Sequence, residues 1–160
     1  MRAFKRWKLF SNLGSAREGM TGRLVRVCHT SDCAAIGYTG AQLSGSGIAI
    51  GLQSRGTAII HKFGLPRLHN LELFSFSPSL TLQTFEAMGR NAAKYARSET
   101  VIPVPVIVDN WARLRFIVKT ALLHRKETEA ISRLPPHGLG LLITAQNPPQ
   151  ALLRPVFAVW

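Results

Sequence analysis

The sequence predicts an α+β domain with a ferredoxin-like βαββαβ sandwich, and two observations carry this prediction. Helical apolar stripes alternate with short β-prone runs between residues 67 and 145. The strongest run alternates apolar and cationic side chains, as a strand with one face on a core does. The expected domain therefore covers residues 67–145, with a basic extension over 1–66 before it and an apolar, Pro-rich tail over 146–160 after it.

The first half of this domain is predicted from a strand, a helix and a Pro-containing strand. Leu71–Phe76 reads as the strand. A helix is expected from Ser77-Pro78 to about Arg97, because a hydroxyl cap followed by proline is typical of a helix start. Its apolar stripe consists of Leu82, Phe85, Met88, Ala92 and Tyr95. Residues 101–106 contain two prolines, which cannot donate to a ladder, so this segment is expected at a sheet edge.

The second half begins with the clearest predicted strand, Trp111–Ala121. Its apolar side chains alternate with mostly cationic ones: Ala112, Leu114, Phe116 and Val118 against Arg113, Arg115, Ile117 and Lys119. A helix over His124–Leu134 should follow, stopped by two prolines, and Leu139–Ala145 should close the sheet. The join over 107–111 lacks a tight-turn signal, which predicts an extended hairpin arm.

Residues 1–66 contain two further β-prone runs, 48–52 and 57–63, with Arg55-Gly56 as a turn between them. Their glycines do not match a dinucleotide-binding fingerprint. The first ten residues place three aromatic side chains at helical spacing among four cations. This segment is typical of an organelle targeting sequence, and an RNA-embedded arm or a membrane-surface helix are the alternatives.

The charge balance points to an anionic partner. The chain carries 20 Lys and Arg against 8 Asp and Glu, a formal net charge of +12. Polyphosphate is the commonest partner for so basic a chain, because neutralised phosphates release counterions. No apolar run is long enough to span a bilayer. Cys28 and Cys33, with His29 and Asp32 between them, lack zinc-knuckle spacing, so we expect ordinary thiols, no metal and no cofactor.

The order of elements resembles the small-subunit ribosomal protein S-ten family over residues 69–145. The resemblance is carried by Phe74-Ser75-Phe76-Ser77-Pro78, by Ile102-Pro103-Val104-Pro105, and by Val118–Lys126 ending in His124-Arg125-Lys126 with Glu129 after it. It implies a hairpin arm reaching into the head of the small ribosomal subunit. The preceding basic extension favours an organellar member, mitochondrial rather than plastid.

The resemblance implies a structural constituent of the mitochondrial small ribosomal subunit that supports translation. Its partners would be ribosomal RNA and neighbouring ribosomal proteins, with no membrane and no small-molecule substrate. The candidate RNA-binding residues are cations and one histidine on three predicted elements, the two helices and the strand between them: Arg90, Lys94, Arg113, Arg115, Lys119, His124, Arg125 and Lys126. Alternatives are an S-ten-fold protein of the organellar large subunit and a free-standing organellar RNA-binding adaptor.

An enzyme is not expected from the sequence. The eight acids are scattered, and Asp109 has no histidine at a recognisable catalytic spacing. Acylphosphatase-type enzymes share the ferredoxin-like layout, but they need a phosphate-cradling loop with an arginine after the first strand. Here that place holds Ser75-Phe76-Ser77-Pro78. No catalytic residue is therefore predicted.

Overall fold

The computed structural model describes residues 19–20, 22–75, 80–106, 110–143 and 156–159. Within these ranges the chain forms strands and helices in the order β1 Gly22–Arg26, α1 Cys33–Leu43, β2 Ile48–Leu52, β3 Ala58–Lys62, β4 Glu72–Phe74, α2 Leu82–Ala96, α3 Asn110–Glu129, β5 His137–Ile143 and β6 Val156–Val159. The described part contains no helix long and apolar enough to cross a membrane.

The strands form one six-stranded mixed sheet in the order β4-β3-β2-β6-β1-β5. β6 lies between β1 and β2 and runs parallel to both. The outer pairs β1–β5, β2–β3 and β3–β4 are antiparallel. Strands on both sides of residue 66 share this sheet, because β3 pairs with β4 and β1 pairs with β5.

The sheet is covered on both faces. Alternate side chains of β2 and β3 pack with α2 on one face, in a core that contains Ile50, Ile60, Phe74 and Met88. The opposite face carries Ala49, which clusters with Ala41 of α1. Because both faces are covered, β2 is buried along its full length and reads as a continuous apolar run, IAIGL.

Close contact between α1 and β2 depends on two glycines. A Cβ added at Gly51 would lie 2.6 Å from the backbone nitrogen of Gly37 and 2.9 Å from the carbonyl oxygen of Cys33. Only a residue without a side chain allows the two backbones to approach so closely. Asp32 caps the helix, since its carboxylate accepts a hydrogen bond from the amide of Ala35 at 2.8 Å.

Several sequence predictions are confirmed in this architecture. The mixed content of helices and strands fits the α+β class. β2, β3 and β4 lie within or close to the predicted runs, and α2 buries Phe85, Met88 and Ala92 of the predicted stripe. β5 corresponds to the predicted closing strand, beginning two residues earlier.

Other predictions are wrong or not confirmed. The ferredoxin-like arrangement is not confirmed, because the sheet has parallel pairs around β6 and three described helices. α2 begins at Leu82 behind a Thr81 cap, not at Ser77-Pro78. Residues 101–106 form no strand; instead, the amide of Val104 donates to the carboxylate of Glu72 at 2.9 Å.

The predicted strand Trp111–Ala121 is wrong. This segment and the predicted helix at His124 form one continuous helix, α3. Leu114, Val118 and Leu122 also recur every four residues, and that spacing places them on one side of a helix. The hairpin arm predicted over 107–111 is therefore wrong for residues 110 and 111, which belong to α3. Residues 107–109, the N-terminal ten residues and most of the tail lie outside the described part.

Candidate functional site

The candidate site lies at the edge of the sheet where β1 and β2 end. Both strands run parallel to β6, so their carboxyl ends meet at the same edge. The loop 27–32 leaves β1 there, and the turn 53–57 leaves β2 there. In open α/β sheets this edge is the usual place for a ligand or a reacting group.

The turn 53–57 has a well-defined backbone. The amide of Gln53 donates to the carbonyl oxygen of Thr57 at 3.1 Å, and the amide of Gly56 donates to that of Gln53 at 2.9 Å. Gly56 has φ of 90°, a left-handed conformation that glycine adopts without strain. The predicted Arg55-Gly56 turn is thus confirmed, and Arg55 is exposed at its tip.

The buried carboxylate of Glu127 fixes this turn to α3. Glu127 has no exposed surface, and its Oε2 accepts from the amide of Ser54 at 3.0 Å. The same oxygen accepts the Ser54 hydroxyl and the His124 Nδ1 at 2.9 Å. A buried carboxylate needs such donors to offset its lost hydration, so Glu127 holds the turn and the helix in one arrangement.

Further hydrogen bonds connect the loop 27–32 to the turn 53–57 and to α3. Ser31 Oγ lies 3.0 Å from Thr128 Oγ1 of α3, and the Gln53 side-chain amide donates to the carbonyl oxygen of Ser31 at 3.0 Å. Beyond α3, the amide of Ser132 donates to the carbonyl oxygen of Cys28 at 2.9 Å. We call the turn 53–57, the loop 27–32 and the α3 residues His124, Glu127 and Thr128 the polar junction.

Cys33 lies under this junction as a protonated thiol. Its Sγ donates to the carbonyl oxygen of Thr57 at 3.2 Å, and burial raises the pKa of the thiol to about 12, with smaller contributions from Asp32 and Glu127. The thiolate is the nucleophilic form of cysteine. Cys33 is therefore a structural donor at neutral pH.

Ser54, His124 and Glu127 do not form a nucleophile with its general base. In a catalytic triad the histidine stands between the hydroxyl and the carboxylate, and accepts the hydroxyl proton. Here the carboxylate stands in the middle, because Ser54 and His124 each donate to Glu127. The arrangement positions the turn; it does not activate the serine.

No metal centre is found in the described ranges, where no group of three His, Cys, Asp or Glu side chains lies close enough to hold an ion. The four residues considered from sequence are used otherwise. Asp32 caps α1, Cys33 donates to backbone oxygens, and His29 lies 3.3 Å from Thr39 Oγ1. Cys28 lies 4.0 Å from His137 Nδ1.

A second buried carboxylate, Glu72 of β4, accepts hydrogen bonds from α2 and from the segment 101–106. It accepts from the side-chain amide of Asn91 at 2.9 Å and from the amide of Val104. Burial and the neighbouring Glu72 raise the pKa of Tyr95 to about 12. Asn91 also donates to the carbonyl oxygen of Ile102 at 2.9 Å. This cluster holds β4, α2 and the segment 101–106 together, and its role is structural.

The predicted RNA-binding residues do not form one surface. Arg113 and Arg115 were expected on one strand face, but two residues along a helix turn the side chain by roughly 200°. Among the others, Arg90 pairs with Glu86 at 2.6 Å, and Arg125 pairs with Glu129 at 2.7 Å. His124 faces Glu127, Lys119 and Lys126 are exposed on α3, and Lys94 is half-buried on α2.

The outer side of α3 is unusually apolar for a surface helix. Trp111, Leu114, Val118 and Leu122 are 82%, 67%, 68% and 55% exposed, and they follow one another at spacings of three and four residues. These four residues form the α3 stripe. Exposed apolar surface of this kind commonly marks a protein interface.

A comparison with known families decides the assignment. The model of the dehydratase medium subunit family matches residues 12–101, which are 90 of the 160 residues. The chain belongs to the dehydratase medium subunit family. The match covers β1 to α2, including the loop 27–32 and the turn 53–57, whereas α3 and β6 lie outside it.

Family membership corrects the functional predictions. The expected membership of the ribosomal S-ten family and a structural role in the ribosome are wrong, because the matching family is that of dehydratase medium subunits, which points to an enzyme complex. The expected partners, ribosomal RNA and ribosomal proteins, are likewise wrong, because the family points to dehydratase subunits instead. The S-ten motifs misled because Ser-Pro and Pro-hydrophobic-Pro are short and recur in unrelated chains. The mitochondrial location stays a prediction.

Sequence reasoning missed the polar junction. Ser54 and Glu127 are 73 residues apart, and nothing in the local pattern joins them. One signal was available: Glu127 follows His124 by three residues, a spacing at which side chains on a helix meet. That signal is visible only if the segment is read as a helix.

Proposed function

We propose that this chain is the medium subunit of a multisubunit dehydratase and that its polar junction faces the active site formed with the other subunits. The supporting observation is the position of the junction: it lies at the carboxyl edge of parallel strands, and two of its three parts, the loop 27–32 and the turn 53–57, lie inside the region that matches the family. Such an edge is where α/β domains usually place functional groups.

The chemistry of the junction favours a positioning role for this subunit. Glu127 uses its oxygens to hold Ser54 and His124, and Cys33 keeps its proton. In the described ranges the junction therefore offers a fixed, hydrogen-bonded turn with the exposed Arg55 at its tip, and no activated nucleophile. The reacting groups of the dehydration would come from another subunit, and this chain would shape one wall of the site.

The experiment is reconstitution of the complex. The full chain is co-expressed with the large and small dehydratase subunits, and the complex is assayed for dehydration of a panel of small diols and hydroxy acids. We expect turnover only when this chain is present, and none from the chain alone. Equal turnover by the other subunits without it would contradict the proposal.

Two variants distinguish a junction at the active site from a junction that only stabilises the fold. Glu127→Gln should lower turnover in the assembled complex, because the turn 53–57 loses its charged acceptor. Glu129→Ala, on the exposed side of the same helix, is the matched control and should leave turnover unchanged. Full activity of an assembled Glu127→Gln complex would show that the junction does not contribute to the active site.

A further inference from the structure

We propose that the α3 stripe is the docking surface for another dehydratase subunit, which receives it in an apolar groove with an acidic rim. This inference rests on the proposed function, because it names the surface through which that complex assembles. The stripe spans positions 111–122 of α3, and none of its residues contacts the turn 53–57 in the hydrogen bonds of the polar junction. Its residues recur at spacings of three and four, as in helices that insert into a groove of a partner.

Leu114, Val118 and Leu122 keep more than half of their surface exposed, so packing against the rest of the chain leaves most of the stripe uncovered. Among the residues between Asn110 and Lys119 whose burial the structure describes, Phe116 is half-buried and the others are exposed. Tight contacts with the body begin later, at Thr120 and Glu127, which are 4% and 0% exposed. Most of the apolar stripe and the cations beside it are therefore accessible to a partner.

The charges beside the stripe identify the kind of partner. Arg115 and Lys119 are four residues apart, and Lys126 follows seven residues later, so the three cations form a row along the helix next to the stripe. The helix has five cations and two carboxylates, of which Glu127 is buried and Glu129 pairs with Arg125. An acidic rim on the partner would complement this row.

The same charges argue against a second copy of this chain as the occupant. Two copies meeting through their stripes would place two rows of cations together, in a chain whose net charge is already +12. Like charges across an interface are unfavourable. A different, acidic subunit of the complex is the occupant that the charge pattern supports.

The test compares two double substitutions of exposed apolar residues. Leu114→Glu with Val118→Glu introduces carboxylates in the stripe, and Ile102→Glu with Leu134→Glu does so at exposed sites away from it, at 85% and 61% exposure. Binding of the purified full chain to the large subunit is measured by biolayer interferometry. We expect at least about 100-fold weaker binding for the stripe variant, since buried apolar anchors dominate interface affinity, and less than about 3-fold for the control.

Further measurements complete the test. Circular dichroism should show an unchanged fold for both variants, because all four positions are exposed. A photo-crosslinker at position 122 should form an adduct with a dehydratase subunit. Arg115→Glu with Lys119→Glu should slow association and remove most of its salt dependence.

The outcomes separate the inference from the proposed function. If the wild-type chain does not assemble with dehydratase subunits, both are overturned. If it assembles and the stripe variant assembles equally well, only the docking surface is wrong. An adduct between two copies of this chain would overturn the hetero-subunit docking and show self-association.

Discussion

Replacing the buried Glu127 by alanine should destabilise the protein more than replacing any exposed or half-buried residue of α3. Glu127 is fully buried and accepts from the amide and hydroxyl of Ser54 and from His124 Nδ1. Hydrogen bonds to a charged acceptor contribute about 1.5–3 kcal/mol each. Ser54 and His124 are half-buried, so water replaces part of what they lose.

The expected cost of Glu127→Ala is therefore about 3 kcal/mol, close to the lower figure measured when one partner of a buried charged pair is removed. For a chain of this length that corresponds to a fall in Tm of roughly 6–12 °C. Glu127→Gln keeps the shape and one acceptor, and should cost about 1–2 kcal/mol.

The assay is urea unfolding of the full chain, followed by circular dichroism at 222 nm. Glu129→Ala is the control, because Glu129 makes an exposed pair with Arg125 that should contribute less than about 1 kcal/mol. A double-mutant cycle with Ser54→Ala isolates the hydroxyl contact and should give a coupling energy of about 1–2 kcal/mol. If Glu127→Ala costs no more than Glu129→Ala, the carboxylate does not hold the turn and the reasoning is refuted.

Three further predictions concern the core and are checked by the same unfolding assay. Gly51→Ala should cost about 3 kcal/mol because its Cβ would meet backbone atoms, whereas Gly37→Ala, whose nearest contact is the flexible end of Ile59, should cost less; equal costs would contradict this. Asn91→Ala should cost about 2 kcal/mol because Glu72 loses a buried donor, and a neutral result would show that water replaces the amide. Burial raises the pKa of Cys33 from 9.0 to about 12, so the free energy of unfolding should fall as pH rises from 9 towards 12; Cys33→Ala should reduce that fall, and an identical pH profile would rule out the thiol as its source.

The predictable parts of the fold are those that a local pattern of apolar residues determines. β2 is a continuous apolar run, β3 begins with the apolar run Ala58-Ile59-Ile60, and the stripe of α2 repeats at the helical period. The start of α2 was misplaced because two hydroxyl residues compete for the cap. In the structure Thr81 is the N-cap, and its hydroxyl oxygen accepts a hydrogen bond from the amide of Thr84 at 3.3 Å.

The parts that were not predictable depend on distant partners or on an ambiguous pattern. α1 was missed because its sequence, CAAIGYTGAQL, is rich in small residues and has a weak stripe, although its Asp32 cap was visible. The pairing of β6 between β1 and β2 joins the C-terminal end to strands more than 100 residues earlier. α3 was misread because alternation over Ala112–Lys119 satisfies a period of two as well as the helical period.

Reading α3 as one helix changes what its residues can do. As a strand, its cations would form one face for RNA; as a helix of 20 residues, about 30 Å long, it has two ends with different surroundings. Its C-terminal half buries Glu127 against Ser54, while its N-terminal half exposes Leu114 and Val118. Substitutions at the two ends should therefore have different effects. Those at the junction should lower the free energy of unfolding, and those in the stripe should weaken assembly at unchanged stability. A ribosomal anchor would need neither property, whereas a subunit that both docks on a partner and shapes a shared site needs both.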